Sequence, residues 1–261
     1  MLMRFSIALP LALSLLVLAC LAKTPEEPVG DPPRFEGQTV VVTGANRGIG
    51  LAYAKLLTEA GATVIGTARR PDEATELAAT GARVMQLDVT DESSVAAFVE
   101  SLGDQPIDIL VNNAGVLIRM EDKRKPDLEA VRTTLDVNLL GPMRVTYGLL
   151  DNVLASDKPR IVNISSSLGS IGNNEDGTFL GYRESKAGLN MFTRSLAAEY
   201  EDDKLIAIAV HPGWVRTDMG GPEAAVSPEG SVLGMLRLID RLRLKDSGFY
   251  FNGLDGKRLP W

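Results

Sequence analysis

Tyr182 and Lys186 stand four residues apart in a stretch of helical character, which puts a phenol and an ammonium on one helix face about a turn from each other. A cation beside a phenol favours the phenolate. Bringing a tyrosine from about 10 to about 7 takes about 4 kcal/mol of differential stabilisation, at about 1.36 kcal/mol per unit. A pair so tuned is a general acid or base for work near neutral pH. A second group of chemical side chains, Ser165-Ser166-Ser167, closes the apolar run Ile161 to Ile164. Hydroxyls at the end of a strand lie where ligands bind in open α/β sheets.

A third feature is Thr43-Gly44-Ala45-Asn46-Arg47-Gly48-Ile49-Gly50, between a β-branched run and a helical one. Glycines here let the chain turn tightly and bring its backbone against a phosphate at the helix N-terminus. The spacing is G-x-x-x-G-x-G rather than G-x-G-x-x-G, so the turn is open to dinucleotide binding or to a purely conformational role. About 20 residues on, a dinucleotide fingerprint expects an acid for the ribose 2′-OH. Thr67-Ala68-Arg69-Arg70 stands there instead. Arg69, with Arg47 in the turn, suits a 2′-phosphate and favours NADP over NAD; two exposed arginines are the plainer alternative.

The elements that must position these groups alternate. Strands are expected at 38–42, 62–67, 83–89, 107–112, 160–165, 205–211 and 249–252. Helices are expected at 50–60, 72–80, 91–102, through 127–155 and over 182–201. Such alternation implies a parallel sheet covered on both faces. No repeat or second compositional domain interrupts it. The expected fold is therefore a single α/β domain over 38–261, a doubly wound parallel sheet of Rossmann type, preceded by an apolar N-terminal segment.

Composition narrows the chemistry. The 261 residues hold 27 Lys plus Arg against 34 Asp plus Glu, a net charge of −7, which gives no electrostatic footprint for nucleic acid. One Cys (Cys20) and one His (His211) exclude a disulfide framework and an ordinary Cys/His zinc site, and no metal site is expected. A Ser/His hydrolase would have to use His211 without any G-x-S-x-G elbow.

Thr43 to Gly50, Asn112-Asn113-Ala114-Gly115 and Tyr182-Arg183-Glu184-Ser185-Lys186, in that order, resemble the short-chain dehydrogenase/reductase family. His211-Pro212-Gly213-Trp214-Val215-Arg216-Thr217-Asp218-Met219 and Asp255-Gly256-Lys257 resemble its branch of C-signal proteins and sniffer-type carbonyl reductases. The resemblance covers 38–261. It implies Tyr182 as general acid/base, Lys186 also holding the nicotinamide ribose, Ser166 polarising the substrate with Ser165 and Ser167 as neighbours not excluded, and Asn138 as a fourth catalytic residue. Pro142 adds a physical argument, because it has no N–H for the Asn138 carbonyl and the helix should kink there. The freed carbonyl would hold a water relaying protons towards Lys186. The cofactor residues implied are Gly44, Asn46, Arg47, Gly48, Ile49, Gly50, Arg69, Asp88, Val89, Asn113, Ala114, Tyr182, Lys186, Pro212, Val215 and Thr217. The polar run 173–177 lies in a somewhat long gap before Tyr182 and is expected at the substrate mouth. Residues 219–246 are expected to form a lid, with Val226, Val232, Leu233, Met235 and Leu236 making part of the pocket apolar.

The expected activity is hydride transfer between NADP(H) and a small carbonyl or alcohol. The rivals are a nucleotide-binding sensor that does little chemistry and a sugar-nucleotide epimerase or dehydratase, for whose larger substrate region the body has little room. The resemblance also admits a homodimer or homotetramer.

The N-terminus departs from the family. Phe5 to Ala22 is an uncharged run of 18 residues after Arg4, and Val17-Leu18-Ala19-Cys20 resembles a bacterial lipobox. Residues 1–22 are thus expected to be an export signal, lipoprotein signal or membrane anchor, and 23–37 a linker. This predicts membrane association, with a cytoplasmic location as the alternative, since a nicotinamide enzyme draws on a cytoplasmic cofactor pool.

Overall fold

A computed structural model describes residues 28–120 and 124–261. Seven strands form one sheet: β1 (Thr39–Val42), β2 (Thr63–Ala68), β3 (Arg83–Gln86), β4 (Ile109–Asn112), β5 (Arg160–Ile164), β6 (Ile206–His211) and β7 (Tyr250–Asn252). Their order is β3-β2-β1-β4-β5-β6-β7 and every pairing is parallel. The chain winds outward from β1 to β3, crosses back to β4 and winds outward the other way. The C-terminal ends of β1 and β4 therefore flank a switch point, where the loops diverge and leave a crevice.

The strands are short and apolar on both faces, as a sheet covered on both sides requires. Val40 and Val42 of β1 point into one core, where Tyr53 and Leu57 of α1 (Gly48–Glu59) meet Met235 and Ile239 of a later helix. Val41 points into the other, against Phe98 of α3 (Glu92–Leu102). Burying one such side chain stabilises the fold by about 1.5–3 kcal/mol.

Most expected elements are present, with four differences. The helix expected near 72–80 is a 3₁₀ turn at 71–73 followed by a short α2 (Thr75–Ala79). The strand expected to run to residue 89 ends at Gln86, and 87–89 continue towards the crevice. The long helix expected through 127–155 is broken into α4 (Leu128–Leu135), a π turn (Asp136–Leu140), α5 (Gly141–Gly148) and α6 (Leu150–Leu154). The distortion expected from Pro142 thus takes the form of a π turn, closed by the Gly141 N–H donating to the Asp136 carbonyl. Finally, part of the expected linker belongs to the domain: Phe35 is fully buried in the core and its N–H donates to the Ala60 carbonyl at 2.8 Å.

The expected lid is corrected as well. Residues 228–240 form α8 (Pro228–Asp240), capped by the Ser227 hydroxyl, and it packs against α1. Val226, Val232, Leu233, Met235 and Leu236 are buried, and none of them lines the crevice. Periodic aliphatics on a capped helix are core-forming, and that signal outweighs their position after β6. The apolar N-terminal run lies outside the described residues. Among the described residues, no helix is long and apolar enough to cross a membrane.

Candidate active site

The crevice is a cavity of about 630 Å³. At one end the glycine turn folds over β1. Gly44 and Gly48 have φ of 62° and 55°, the left-handed region that favours glycine. Gly50 serves packing, since a Cβ there would lie 2.3 Å from the Gly44 carbonyl oxygen and 2.6 Å from Asn113 Nδ2. The turn is clamped to the loop after β4: Asn113 Nδ2 donates to the carbonyls of Thr43 (2.9 Å) and Gly44 (3.1 Å), and the N–H groups of Asn113 and Ala114 both donate to Thr43 Oγ1 at 3.0 Å. The first turn of α1 holds no acid, and no side chain caps it, so the N–H groups at its start are left for a ligand.

Arg47 and Arg69 line this end but differ. Arg47 reaches across to Asp218 at 2.8 Å, tying the glycine turn to the loop after β6. Arg69 has no carboxylate at ion-pair distance among the described residues. Asp88 Oδ1 accepts from the N–H and hydroxyl of Thr90 (3.0 and 2.7 Å) as the chain leaves β3.

At the other end, α7 (Tyr182–Glu199) presents Tyr182 and Lys186 on one face. It begins at Gly181, whose N–H donates to the Glu184 carboxylate at 2.5 Å. Lys186 Nζ is buried, donates to the Ile164 carbonyl at 2.8 Å and lies 5.7 Å from the Tyr182 ring centroid. Burial alone holds it down to about 8. Tyr182 is buried too, and burial pushes its phenol up, while the neighbouring Ser166 side chain pulls the other way. The lowering expected of Tyr182 draws on Lys186 together with the nicotinamide's positive charge; with the protein's own groups, desolvation of the phenol is the larger influence.

Ser166 is the serine that meets Tyr182. Ser165 donates to Asn190 Oδ1 at 2.6 Å, and Ser167 is exposed. The turn carrying Ser166 is held by two groups whose function its sequence did not announce. Tyr250 Oη, on β7, donates to the Ser166 carbonyl at 2.6 Å, and the Ser167 N–H donates to His211 Nδ1 at 3.1 Å. Tyr250 carries no sequence signal beyond its strand, because only the sheet order brings β7 to the loop after β5.

Asn138 is fully buried in the π turn and does not line the cavity. Its Oδ1 accepts from the Val116 N–H (2.8 Å), and its Nδ2 donates to the Val116 carbonyl (2.8 Å) and to Ser185 Oγ (3.1 Å). Gly50 is likewise outside the lining; every other residue expected in the site borders the one cavity. Of the 173–181 loop only Phe179 does. The run 173–177 is exposed, and Asp176 is drawn to the buried Arg183 at 2.6 Å.

His211 gives the first prediction. Its Nδ1 accepts a hydrogen bond, so the ring is neutral, and burial lowers its pKa from 6.5 to about 4. The unfolded chain binds the proton first as the pH drops, so stability should fall between pH 6.5 and about 4, by up to about 3 kcal/mol. His211→Gln keeps an acceptor without titrating there. Denaturant unfolding across this range should show a shallower pH slope for that variant; equal slopes would exclude His211 as the cause.

A parallel sheet with a glycine-turn crevice at its switch point and a Ser–Tyr–Lys cluster beside it defines a dinucleotide-binding fold with an acid–base centre. Residues 38–226 match the short chain dehydrogenase family model, and the chain belongs to that family. It is 39% identical over 165 residues to the C-signal protein of Myxococcus xanthus, covering 63% of this chain and 99% of that one. Among solved structures it is similar to the NADPH-bound carbonyl reductase from chicken fatty liver, with 33% identity, TM-score 0.80 and coverage of 87% of this chain and 100% of that one. The carbonyl reductase Sniffer of D. melanogaster, 28% identical over the same shares of both chains, also gives a TM-score of 0.80.

Proposed function

We propose that this protein is an NADPH-dependent carbonyl reductase. The observation that carries the reading is that Ser166, Tyr182 and a buried Lys186 border the same cavity that the glycine turn opens. NADP(H) fits the residues present. Gly44 approaches Ala114 so closely that a Cβ would lie 3.0 Å from its Cα, the start of α1 is uncapped, and Arg69 is without a carboxylate partner among the described residues. Gly44, Asn46, Gly48 and Ile49 would hold the pyrophosphate, Arg69 the 2′-phosphate, Asp88, Val89 and Ala114 the adenosine, and Lys186 with Pro212, Val215 and Thr217 the nicotinamide half. Bound there, the cofactor supplies the hydride and, once spent, a positive charge.

The chain's own residues do the rest. Ser166 and Tyr182 donate hydrogen bonds to the carbonyl oxygen, and Tyr182 gives it a proton as negative charge develops. Burial keeps the phenol protonated in the resting site, which suits a proton donor in the reductive direction. Lys186, anchored on Ile164, holds the ribose and stabilises the phenolate that follows. The relay assigned to Asn138 runs through its main-chain carbonyl, since its side chain is committed to Val116 and Ser185. Loss of reduced-nicotinamide absorbance with a panel of ketones, aldehydes and quinones tests the reading, and a panel without turnover would favour the sensor.

Tyr250 is a positioning residue in this scheme, because its hydroxyl donates to the Ser166 carbonyl. Tyr250→Phe should lower kcat on every ketone by about tenfold, the worth of about one hydrogen bond, while leaving KM for NADPH unchanged. Equal loss of kcat and of cofactor affinity would mark a general structural role instead.

We also infer that the N-terminal segment attaches the protein to a membrane. An apolar run as long as Phe5 to Ala22 is costly to leave in water. Fractionation of cells expressing the whole chain should place it with membranes. Full-length protein wholly in the soluble fraction would refute attachment, and a change of mature mass in Cys20→Ala would identify lipidation.

A further inference from the structure

We propose that the substrate end of the cavity is built for a carbonyl compound with an apolar body and a carboxylate at its far end, received by Arg119. The inference rests on the carbonyl reductase reading and specifies its substrate class.

Three observations on separate segments converge. The first is the lining around the acid–base pair: Leu117, Leu168, Phe179, Trp214 and Met219 give an apolar surface, and Trp214 and Met219 are exposed. Phe179 joins this surface to the chemistry, because its carbonyl accepts the N–H of Tyr182 at 3.1 Å.

The second is the state of Arg119. Of the arginines that border the cavity, Arg47 has a carboxylate within ion-pair distance, Asp218, and Arg69 stands at the cofactor end. Arg119 borders the cavity and has none among the described residues; its guanidinium lies over the Phe179 ring, 5.3 Å from the centroid. Stacking on a ring face leaves the guanidinium edge free, and that edge is a fork matched to a carboxylate. The carboxylates that border the cavity are Asp88 and Asp218; Thr90 bonds the first and Arg47 the second.

The third is the backbone at Phe179, which has φ 59°. A bulky side chain is disfavoured there, and the neighbouring positive-φ positions, Gly177 and Gly181, are glycine. Position 179 carries a phenyl ring nonetheless, and the ring lies beneath the Arg119 guanidinium. One guanidinium without a carboxylate partner among the described residues balances one negative charge, so the fit is to a monoanionic carboxylate.

The test uses the whole chain with NADPH and two matched series: ω-oxo carboxylic acids of increasing chain length and their uncharged methyl esters. The ratio of kcat/KM for acid over ester should peak at one chain length, at about tenfold or more, and decline as salt is added. Arg119→Gln should bring that ratio close to one, Arg119→Glu should push it below one, and Arg119→Lys should retain part of it. Reduction of esters with no advantage for the acids at any length, or an advantage untouched by Arg119→Gln, would overturn the substrate class alone. Failure of wild-type protein to oxidise NADPH with either series would overturn the reductase reading and this inference with it.

Discussion

Replacing Tyr182 by Phe should lower kcat for ketone reduction by about 10²- to 10⁴-fold, the usual worth of a positioned proton donor. Cofactor affinity should change only a fewfold. The phenyl ring fills the same buried space, and what is lost is the hydroxyl that meets Ser166. Lys186→Ala should damage both quantities, because the ammonium is assigned to the ribose and to the phenolate together. The same lysine predicts a pH effect. Its pKa is held down to about 8 by burial, so it loses its charge as the pH rises through that value. The kcat/KM for NADPH, which reports groups on the free enzyme, should therefore fall above about pH 8. A Tyr182→Phe variant with more than a tenth of wild-type turnover would remove the tyrosine from its role.

Arg69→Asp should invert cofactor preference. The wild-type guanidinium stands at the cofactor end of the cavity without a carboxylate among the described residues, which leaves it for a 2′-phosphate. Losing a charge-assisted contact should weaken NADPH by about 10- to 100-fold, and the new carboxylate both repels the phosphate and accepts from a free ribose 2′-OH. Arg47→Ala should cost less, since Arg47 is already paired with Asp218. Fluorescence titration of both reduced cofactors checks this. Wild-type protein binding NADH as tightly as NADPH would contradict the assignment to Arg69.

Much of this site could be read in the sequence, and the parts that could not share a cause. Thr43 to Gly50 and the Tyr182/Lys186 spacing are local patterns whose chemistry follows from residue type and periodicity, while the role of Asn113-Ala114 is what the family resemblance implies. The resemblance points to Ser166, but what sets it apart from Ser165 is a tertiary contact, because Asn190 of α7 draws Ser165 away. Tyr250 and His211 reach the Ser166 turn only through the order of β5, β6 and β7 in the sheet. Burial of the Tyr182 phenol, which opposes the lowering that the Lys186 spacing suggests, is a property of the packed core that spacing does not show. The aliphatics of 226–236 were read as pocket because they follow β6. A hydrophobic stripe says that a face is covered, and only the fold says by what.

The central claim is that hydride passes from NADPH to a carbonyl carbon in this cavity while Tyr182 supplies the proton. A single-turnover reaction with NADPH deuterated at the transferable position of nicotinamide C4, run on purified protein with a reducible ketone, tests it most directly. The account predicts deuterium on the carbinol carbon of the product, one per NADPH consumed, with product lost in Tyr182→Phe. Tight binding of NADPH with no labelled alcohol from any ketone or aldehyde would contradict it and leave a nucleotide-binding protein without this chemistry.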